Sequence, residues 1–253
     1  MGYKTLGIVI PNFNYAKFLP RLLHSINNSS YRDFIKIYFI DGLSTDNSLE
    51  LAETYLKESD VIISEADDGQ ADAIQKGLAL CNEDWFIFQN SDDFFDTETL
   101  DYIFLSNIIN SNFDVLAFST RFISDDSQSF FKHSLPIKYG MLFWNIFFCN
   151  QSTVYKTKIA KSVRFTKTFK FALDYDFIVR FFKYKRNVYY SPLILGTQCM
   201  HDQTKTAKMQ HICLSEKKSV QKSNFSFMPI LVSFPYYIFY VVHKKFISLQ
   251  RFL

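Results

Sequence analysis

Short apolar runs alternate with amphipathic stretches over the first 120 residues. The runs are rich in β-branched and aromatic residues, as strands are. They are "TLGIVI" (5–10), "IKIYFI" (35–40), "VIIS" (61–64), "WFIFQ" (85–89) and "VLAFS" (115–119). Between the first two runs, Leu19, Leu22, Leu23 and Ile26 recur at the spacing of one helix face, and similar stripes follow the second and third runs. This alternation predicts an α/β fold with a mostly parallel sheet and helices on both faces.

Polar side chains follow four consecutive predicted strands. Asn12 and Asn14 follow the first strand, Asp41 the second, residues 65–72 the third and residues 90–93 the fourth. In open α/β sheets the ligand lies outside the carboxyl ends of the strands. Four acidic or amide clusters in this position predict one shared cleft.

The cleft lacks the glycine-rich loops that usually hold phosphates. The chain has seven glycines, and none forms GxGxxG or GxxxxGK[ST]. Acidic side chains would repel a diphosphate, so a divalent cation must join the two through oxygen ligands. We therefore interpret Asp92 and Asp93 in "FIFQNSDDFF" as a metal and diphosphate site. The alternative is that both aspartates cap a helix that begins near Thr97.

Composition is typical of a folded chain with one large domain. The 253 residues are 48% hydrophobic and 21% charged, which excludes disorder. The four cysteines are widely scattered, and the sequence begins without a secretory signal pattern, so we expect free thiols and a cytoplasmic protein.

The charge is unevenly distributed. Residues 1–155 hold 10 Lys and Arg against 21 Asp and Glu, whereas residues 156–253 hold 18 against 4. The acidic part would favour cations, and the basic part would favour phosphates or an anionic membrane. Mutual attraction of the two parts is an alternative explanation.

Several segments, taken in order, resemble the inverting, GT-A-fold glycosyltransferases of family 2, especially bacterial enzymes that build capsule or O-antigen polysaccharides. The resemblance covers about residues 4 to 200. Its motifs are "IVIPNFNYAKFLPRLLHSI", "IDGLSTDNS", "SEADDGQADAIQKG", "WFIFQNSDD" and "NQSTVYKT" followed by "FKFALDYDFIVRF".

The resemblance implies a site for a nucleoside diphosphate sugar, most often a uridine derivative, with Mn²⁺ or Mg²⁺. Asp41 and Asp72 would contact the base and ribose, and Asp92 would meet the cation beside Asp93. Asn90 stands where the family usually has an aspartate, which implies weaker metal binding. The donor-binding set is Pro11, Asn12, Asn14, Asp41, Glu65, Asp67, Asp72, Asn90, Ser91 and Asp92.

The acceptor side is expected to carry the catalytic base. In the family's "DYD" segment the base is the first aspartate, which is Asp174 here. Asp176 and Gln151 are the other acceptor-side candidates. Asp174 and Asp176 would face the same way on a strand but diverge by roughly 200° on a helix, and helix capping is the alternative role for both. His201 is a candidate metal or diphosphate ligand, with a structural role as the alternative.

We predict a glycosyltransferase domain at 1–215, with a nucleotide-sugar half at 1–120 and an acceptor half at 121–215. A basic, aromatic tail follows at 216–253. Within it, residues 225–242 form an uncharged run of 18. Basic flanks and two prolines favour peripheral contact with the inner face of the cytoplasmic membrane over core packing, an oligomer contact or a true span.

The predicted function is transfer of a sugar from a nucleotide donor to a cell-surface glycan or lipid-linked acceptor. A sugar nucleotidyltransferase is the nearest enzymatic alternative, although its glycine-rich phosphate loop is absent. A nucleic-acid-binding protein would use the basic half but would leave the acidic cleft unexplained, so we expect no nucleic acid partner. A catalytically inactive relative is a third alternative because of Asn90.

Overall fold

The computed structural model describes residues 4–124, 128–136, 139–143, 148–201, 210–225 and 238. The strands are β1 (Leu6–Asn12), β2 (Ile35–Asp41), β3 (Val61–Ser64), β4 (Trp85–Phe88), β5 (Phe94–Phe95), β6 (Val115–Ser124), β7 (Ser129–Lys132), β8 (Thr153–Lys156) and β9 (Val188–Met200). The helices are α1 (Leu19–Asn27), α2 (Ser48–Tyr55), α3 (Gln70–Leu80), α4 (Thr97–Leu105), α5 (Thr157–Val163), α6 (Leu173–Phe181) and α7 (Gln210–Asn224).

The described strands form one sheet in the order β3-β2-β1-β4-β8-β6-β9-β5, with β7 paired to β6. Strands β1 to β4 are mutually parallel, and β6 is parallel to β9. Strands β5, β7 and β8 pair antiparallel with their neighbours. The predicted α/β fold with a mostly parallel sheet is confirmed. The antiparallel strands lie beyond β4, where the sequence showed no simple alternation.

Continuous apolar strands form because both faces of the sheet are covered. On β4, Phe86 and Phe88 pack into a core with α3, α5 and α6. Trp85 and Ile87 alternate with them and pack into a second core with α1 and α4. All four side chains are at most 1% exposed, so no position on this strand needs to be polar.

Close packing of α3 against β1 depends on Gly77. A Cβ added at Gly77 would lie 2.4 Å from Val9 Cγ1 and 3.2 Å from Ile40 Cγ1. The glycine lets the helix backbone approach the sheet and so holds the start of α3 at the edge of the cleft.

Helix α7 runs across the predicted boundary between residues 215 and 216. Val220 on this helix is fully buried in the core that contains α6, and Phe225 stacks on Tyr139 at 5.0 Å. The start of the predicted tail therefore packs on the domain. Residues 226–253, except 238, lie outside the described residues, and with them most of the apolar run. Among the described helices, none is long and apolar enough to cross a membrane.

Candidate active site

A cleft of about 270 Å³ opens at the carboxyl ends of β1 and β4. Its walls come from the loops after these two strands, the start of α3 and the end of β9. The donor-site or metal-site candidates that line it are Pro11, Asn12, Asp67, Asn90, Ser91, Asp92 and Asp93. Ser91 Oγ donates to the carbonyl oxygen of Pro11 at 3.0 Å, which joins the loops after β1 and β4.

Asp93 lies within the cleft wall and is almost fully buried. The side chain is 1% exposed. Its Oδ1 accepts a hydrogen bond from Cys199 N at 2.9 Å, and its Oδ2 accepts one from Asn90 Nδ2 at 3.2 Å. Burial, and then the charge of Asp92, raise the pKa of Asp93 well above the usual range. Each carboxylate oxygen of Asp93, a predicted metal ligand, therefore already accepts a hydrogen bond from another protein group.

Asp92 and His201 meet at the cleft. His201 Nε2 lies 3.0 Å from Asp92 Oδ2, and the His201 ring stacks on Phe18 at 4.8 Å. Arg21 donates to the carbonyl oxygen of Asp92 at 3.0 Å. The alternative that Asp92 and Asp93 cap the helix near Thr97 is wrong, because Asp96 caps α4 by accepting the Thr99 N–H at 2.9 Å.

The Asp92 and His201 pair fits a shared divalent cation. Two adjacent ligand atoms that each lie 2.0–2.1 Å from an octahedral metal ion are about 3 Å apart. His201 Nε2 and Asp92 Oδ2 have this separation. The described residues contain no group of three or more His, Cys, Asp and Glu that could hold a metal ion. A cation held by this pair would need its other oxygen ligands from a diphosphate and water, which is how Mg²⁺ commonly binds at phosphate-transferring sites.

Asp41 lies at the base of the loop after β2 and is fully buried. Its carboxylate accepts hydrogen bonds from Asn12 Nδ2 at 2.9 Å, Ser64 Oγ at 2.9 Å, and both the backbone N–H and the hydroxyl of Ser44. Burial alone would raise the pKa of Asp41, but these bonds outweigh it and lower the pKa. Four protein donors fill the lone pairs of this carboxylate.

Asn14 connects the loops that follow β1 and β2. It adopts a left-handed conformation with φ 57°, which asparagine tolerates better than most residues. Its Oδ1 accepts the Thr45 N–H at 2.7 Å, and its own N–H donates to Ser44 Oγ at 2.8 Å. Asn14 and Asp41 are not among the cleft-lining residues; both shape the loops beside it.

The acidic residues around the start of α3 are largely paired with lysines. Asp72 is 5% exposed and lies 2.9 Å from Lys167 Nζ, while Glu65 lies 2.8 Å from Lys76 Nζ. Burial opposes ionisation of Asp72, but Lys167 and the other partners outweigh it and lower its pKa. Asp67 lines the cleft, and its Oδ1 accepts the Gly69 N–H at 2.8 Å.

The first turn of α6 separates Asp174 from Asp176. Asp176 lies 2.6 Å from Arg180 Nη2 and accepts the Thr166 hydroxyl at 2.8 Å. Neither aspartate caps the helix: the cap position is Ala172, which makes no side-chain cap bond. The capping alternative for this pair is therefore wrong, and the helix turns the two carboxylates to different surroundings.

Asp174 lies beside the turn Asn150–Ser152, and burial raises its pKa to about 6. Asn150 and Lys132 act in the opposite direction, each favouring the ionised form. The Tyr155 hydroxyl donates to Asn150 Oδ1 at 2.5 Å, which fixes the orientation of this amide. Gln151 is buried in the same turn, so the structure brings Asp174 and Gln151 together outside the nucleotide cleft.

Sequence reasoning did not identify several residues that line the cleft. Tyr15 lines it, and burial followed by the charges of Asp92 and Asp93 raises its pKa, so the phenol stays protonated. Gln70 donates to Asn90 Oδ1 at 2.6 Å. Gln198 and Cys199 come from β9. Tyr15 and Gln70 fall inside the quoted motifs, whereas no local pattern marked the end of β9.

The sheet order and the cleft at the strand ends, with Asp92 in the loop after β4, define a GT-A-like α/β fold. A model of the Glycosyl transferase family 2 matches residues 7–182. The chain belongs to this family and is a glycosyltransferase.

Sequence relatives agree with this assignment. A PGL/p-HBAD biosynthesis glycosyltransferase of Mycobacterium bovis is 27% identical over 196 residues, which cover 72% of this chain and 71% of that protein. An uncharacterized glycosyltransferase of Nostoc is 35% identical over 92 residues, or 35% of this chain and 28% of the relative.

Solved structures share the fold at low sequence identity. Staphylococcus aureus TarS 1–349 in complex with UDP-GlcNAc has a TM-score of 0.63 and 15% identity, covering 86% of this chain and 70% of TarS 1–349. The mannosyltransferase PcManGT of Pyrobaculum calidifontis, in complex with GDP-Man and Mn²⁺, has a TM-score of 0.66 and 15% identity. The match covers 92% of this chain and 69% of PcManGT. The chain spans 60% of another TarS 1–349 structure and 44% of the longer TarS chain.

Proposed function

We propose that this glycosyltransferase moves a sugar from a nucleoside diphosphate donor, a UDP-sugar, to a hydroxyl of a cell-surface glycan or lipid-linked acceptor, with inversion. The observation that carries the proposal is the separation of two carboxylate sites. Asp92 faces His201 at the nucleotide cleft, and Asp174 lies beside the acceptor-side turn without an ion pair among the described residues. One base, with no second unpaired carboxylate beside it in the described part of the chain, favours a single displacement.

Asp174 acts as the general base. Its pKa of about 6 leaves the carboxylate ionised at neutral pH yet basic enough to accept a proton from the acceptor hydroxyl. Asp176 is held by Arg180 and Thr166 and supports the helix that carries Asp174. Gln151 lies in the adjacent turn on the acceptor side.

Asp92 and His201 hold Mn²⁺ or Mg²⁺ with the donor diphosphate. When bound, such a cation stabilises the charge that develops on the departing diphosphate. Asp93 positions the loop through its hydrogen bonds with Cys199 and Asn90. The remaining donor-site residues, Pro11, Asn12, Asn14, Asp41, Glu65, Asp67, Asp72, Asn90 and Ser91, line the cleft or hold its loops.

A uridine-containing donor agrees with the UDP-GlcNAc of the TarS complex, while PcManGT was solved with GDP-Man. Glycosyltransferase family membership favours this function over the nucleotidyltransferase and nucleic-acid-binding alternatives. The catalytically inactive alternative is tested by donor turnover.

Calorimetric titration tests the metal and nucleotide site. UDP should bind measurably with Mn²⁺ or Mg²⁺ and at least about tenfold more weakly in excess chelator, because the acidic cleft repels an unscreened diphosphate. Asp92→Asn should remove most of the metal-dependent gain. Glu53→Gln, at an exposed helix position away from the cleft, is the matched control and should bind as the unsubstituted protein does. Equal UDP affinity with metal and with chelator would contradict the cation site.

A further inference from the structure

The hairpin of β6 and β7 carries two phenylalanine rings on one face. Phe122 on β6 pairs directly with Phe130 on β7. Their rings stack with centroids 4.7 Å apart and planes 1° from parallel. Residues that pair directly across strands project from the same face of a sheet. Phe130 is 48% exposed, so the stacked pair presents apolar surface to solvent rather than to the core.

This aromatic wall, defined as Phe122 and Phe130, is continuous with the nucleotide cleft. On its other side Phe122 pairs with Gln198 of β9, and Gln198 lines the cleft. Because Phe130 stacks against one side of Phe122, the opposite side of the Phe122 ring is turned toward β9. Neighbouring strands are about 4.8 Å apart, so the wall begins within one side-chain length of the cleft.

The same face of the sheet also leads to Asp174. Thr120, two residues before Phe122, pairs with Lys132 and donates its hydroxyl to Ser152 Oγ at 2.8 Å. Ser152 ends the turn that carries Asn150, and both Asn150 and Lys132 act on the Asp174 carboxylate. Two residues of a strand span about 7 Å, close to the width of one sugar ring. The aromatic wall thus lies between the nucleotide cleft and the base.

We propose that the aromatic wall is an acceptor subsite against which one face of a saccharide ring stacks. This inference rests on the proposed function and deepens it, because it makes the acceptor a glycan rather than a simple lipid alcohol. A pyranose has an apolar face of C–H bonds and a rim of oxygen atoms. The Phe122 ring matches the apolar face, and the Gln198 amide and Lys132 ammonium supply donors for the oxygen atoms. An alkyl chain would bury these polar groups without partners.

Saturation-transfer NMR with methyl glycopyranosides of glucose, galactose, mannose and N-acetylglucosamine tests the subsite. The full chain is titrated with each glycoside in the absence and presence of UDP and Mg²⁺. At least one glycoside should receive saturation at its ring C–H protons. Phe122→Leu should weaken its binding about 2- to 10-fold, the range for loss of one aromatic contact, whereas Phe122→Tyr keeps a ring face and should bind as the unsubstituted protein does.

Phe131→Leu is the matched control. Phe131 belongs to the same hairpin but pairs with Arg121 on the opposite face, so this variant should bind the glycoside normally. Phe130→Leu, at the more exposed ring, gives a second test should Phe122→Leu fail to fold by circular dichroism; it removes the support behind Phe122 and should also weaken binding.

Three results would overturn the subsite. They are no glycoside binding to the unsubstituted protein, equal weakening by Phe122→Leu and Phe131→Leu, and Phe122-dependent binding of n-octanol without glycoside binding. Each can occur with UDP affinity intact, which would leave the proposed function standing. Absence of cation-dependent UDP binding in the unsubstituted protein would instead contradict the proposed function. The glycoside titration without UDP would still test the aromatic wall independently.

Discussion

Asp174 and Asp176 lie in the same turn of α6, yet their surroundings prepare them for different tasks. Arg180 and Thr166 satisfy the Asp176 carboxylate. Asp174 has no ion pair within the described residues, and its raised pKa reflects burial that is only partly offset by Asn150 and Lys132. A half-buried carboxylate with no salt bridge among the described residues is better suited to accept a proton than to stabilise the fold.

Asp174→Asn should lower sugar transfer by ~10² to 10⁴-fold, the usual contribution of a general base. UDP affinity should stay nearly unchanged because the residue lies outside the nucleotide cleft. In the unsubstituted enzyme, kcat/KM should rise with pH through about 6, where Asp174 loses its proton. Donor hydrolysis by water is a surrogate readout where no acceptor is at hand.

The same substitution should also change stability in a pH-dependent way. A carboxyl group whose folded pKa is raised destabilises the fold once pH exceeds its unfolded value, near 3.8. Asp174→Asn should therefore be more stable than the unsubstituted protein at pH 7, and the difference should disappear near pH 4. Denaturant unfolding at the two pH values measures this difference in stability.

For the activity prediction, an Asp174→Asn variant that transfers sugar at the parental rate, or turnover lost only in Asp176→Asn, would contradict the assignment of Asp174 as the base.

Residue roles were predictable where the role depends on chain position and not where it depends on neighbours. The placement of Asp92 at the end of β4 followed from the apolar run before it. The four donors around Asp41 could not be foreseen together, because they come from the ends of β1 and β3 and from the loop after β2. Asn90 illustrates the same limit: its amide donates to Asp93 Oδ2 and accepts from Gln70. An aspartate at position 90 would instead place a second negative charge against buried Asp93.

At the scale of elements, the orientation of α6 depends on a residue from α7. Glu216 accepts the backbone N–H groups of Lys170, Phe171 and Ala172 at 3.1, 2.8 and 2.9 Å. These groups precede α6, whose own cap residue provides no side-chain bond. A carboxylate at this end of a helix also interacts favourably with the helix dipole. Helix α7 thus anchors the turn that presents Asp174.

Glu216→Gln should reduce the free energy of unfolding by about 1–3 kcal/mol, because one carboxylate oxygen is replaced by a donor that faces backbone N–H groups. Turnover should fall as well, because Asp174 lies two residues after Ala172, the last residue that donates to Glu216. Denaturant unfolding with circular dichroism provides the measurement. Glu53→Gln, at an exposed position, should change stability by less than about 0.5 kcal/mol; an equal loss in both variants would contradict the anchoring role.

Elements with a clear hydrophobic period were predicted, and those stabilised by distant partners were not. Strands β1 to β4 and helices α1 to α3 follow from apolar runs and stripes. Strand β5 has only two residues, and it exists because Phe94 and Phe95 pair with Thr197 and Gly196 of β9. Strand β8 is short and joins β4 to β6. The β5 pairs join residues about 100 positions apart, and the β8 pairs join residues 36 to 71 positions apart, so no local pattern marks either strand.

At the scale of the whole molecule, ion pairs between the basic and acidic parts neutralise some of the uneven charge. Lys167, in the basic part, lies 3.1 Å from Asp68 and 2.9 Å from Asp72 in the acidic part. This contact supports the interpretation that the two parts attract each other. Other lysines of the basic part remain exposed, including Lys183, Lys185, Lys218 and Lys222. Internal pairing with Asp68 and Asp72 therefore uses only a small share of the excess positive charge.

The remaining charge bears on the proposed contact of residues 216–253 with a membrane. The uncharged run 225–242 is followed by Lys244 and Lys245, and each basic residue near an anionic leaflet contributes about 1 kcal/mol to binding.

The full chain should co-sediment with phosphatidylserine-containing liposomes at low salt. Reversing both charges, in Lys244→Glu with Lys245→Glu, should weaken that binding at least about tenfold. Lys183→Glu with Lys185→Glu makes the same change in net charge at exposed positions of the domain and should bind nearly as the unsubstituted protein does. UDP binding is measured in both double variants as a control, and it should persist in the Lys183→Glu and Lys185→Glu variant because neither residue lines the cleft. A chain that ignores these liposomes, or equal losses in the two variants, would show that the tail does not direct the protein to an anionic surface.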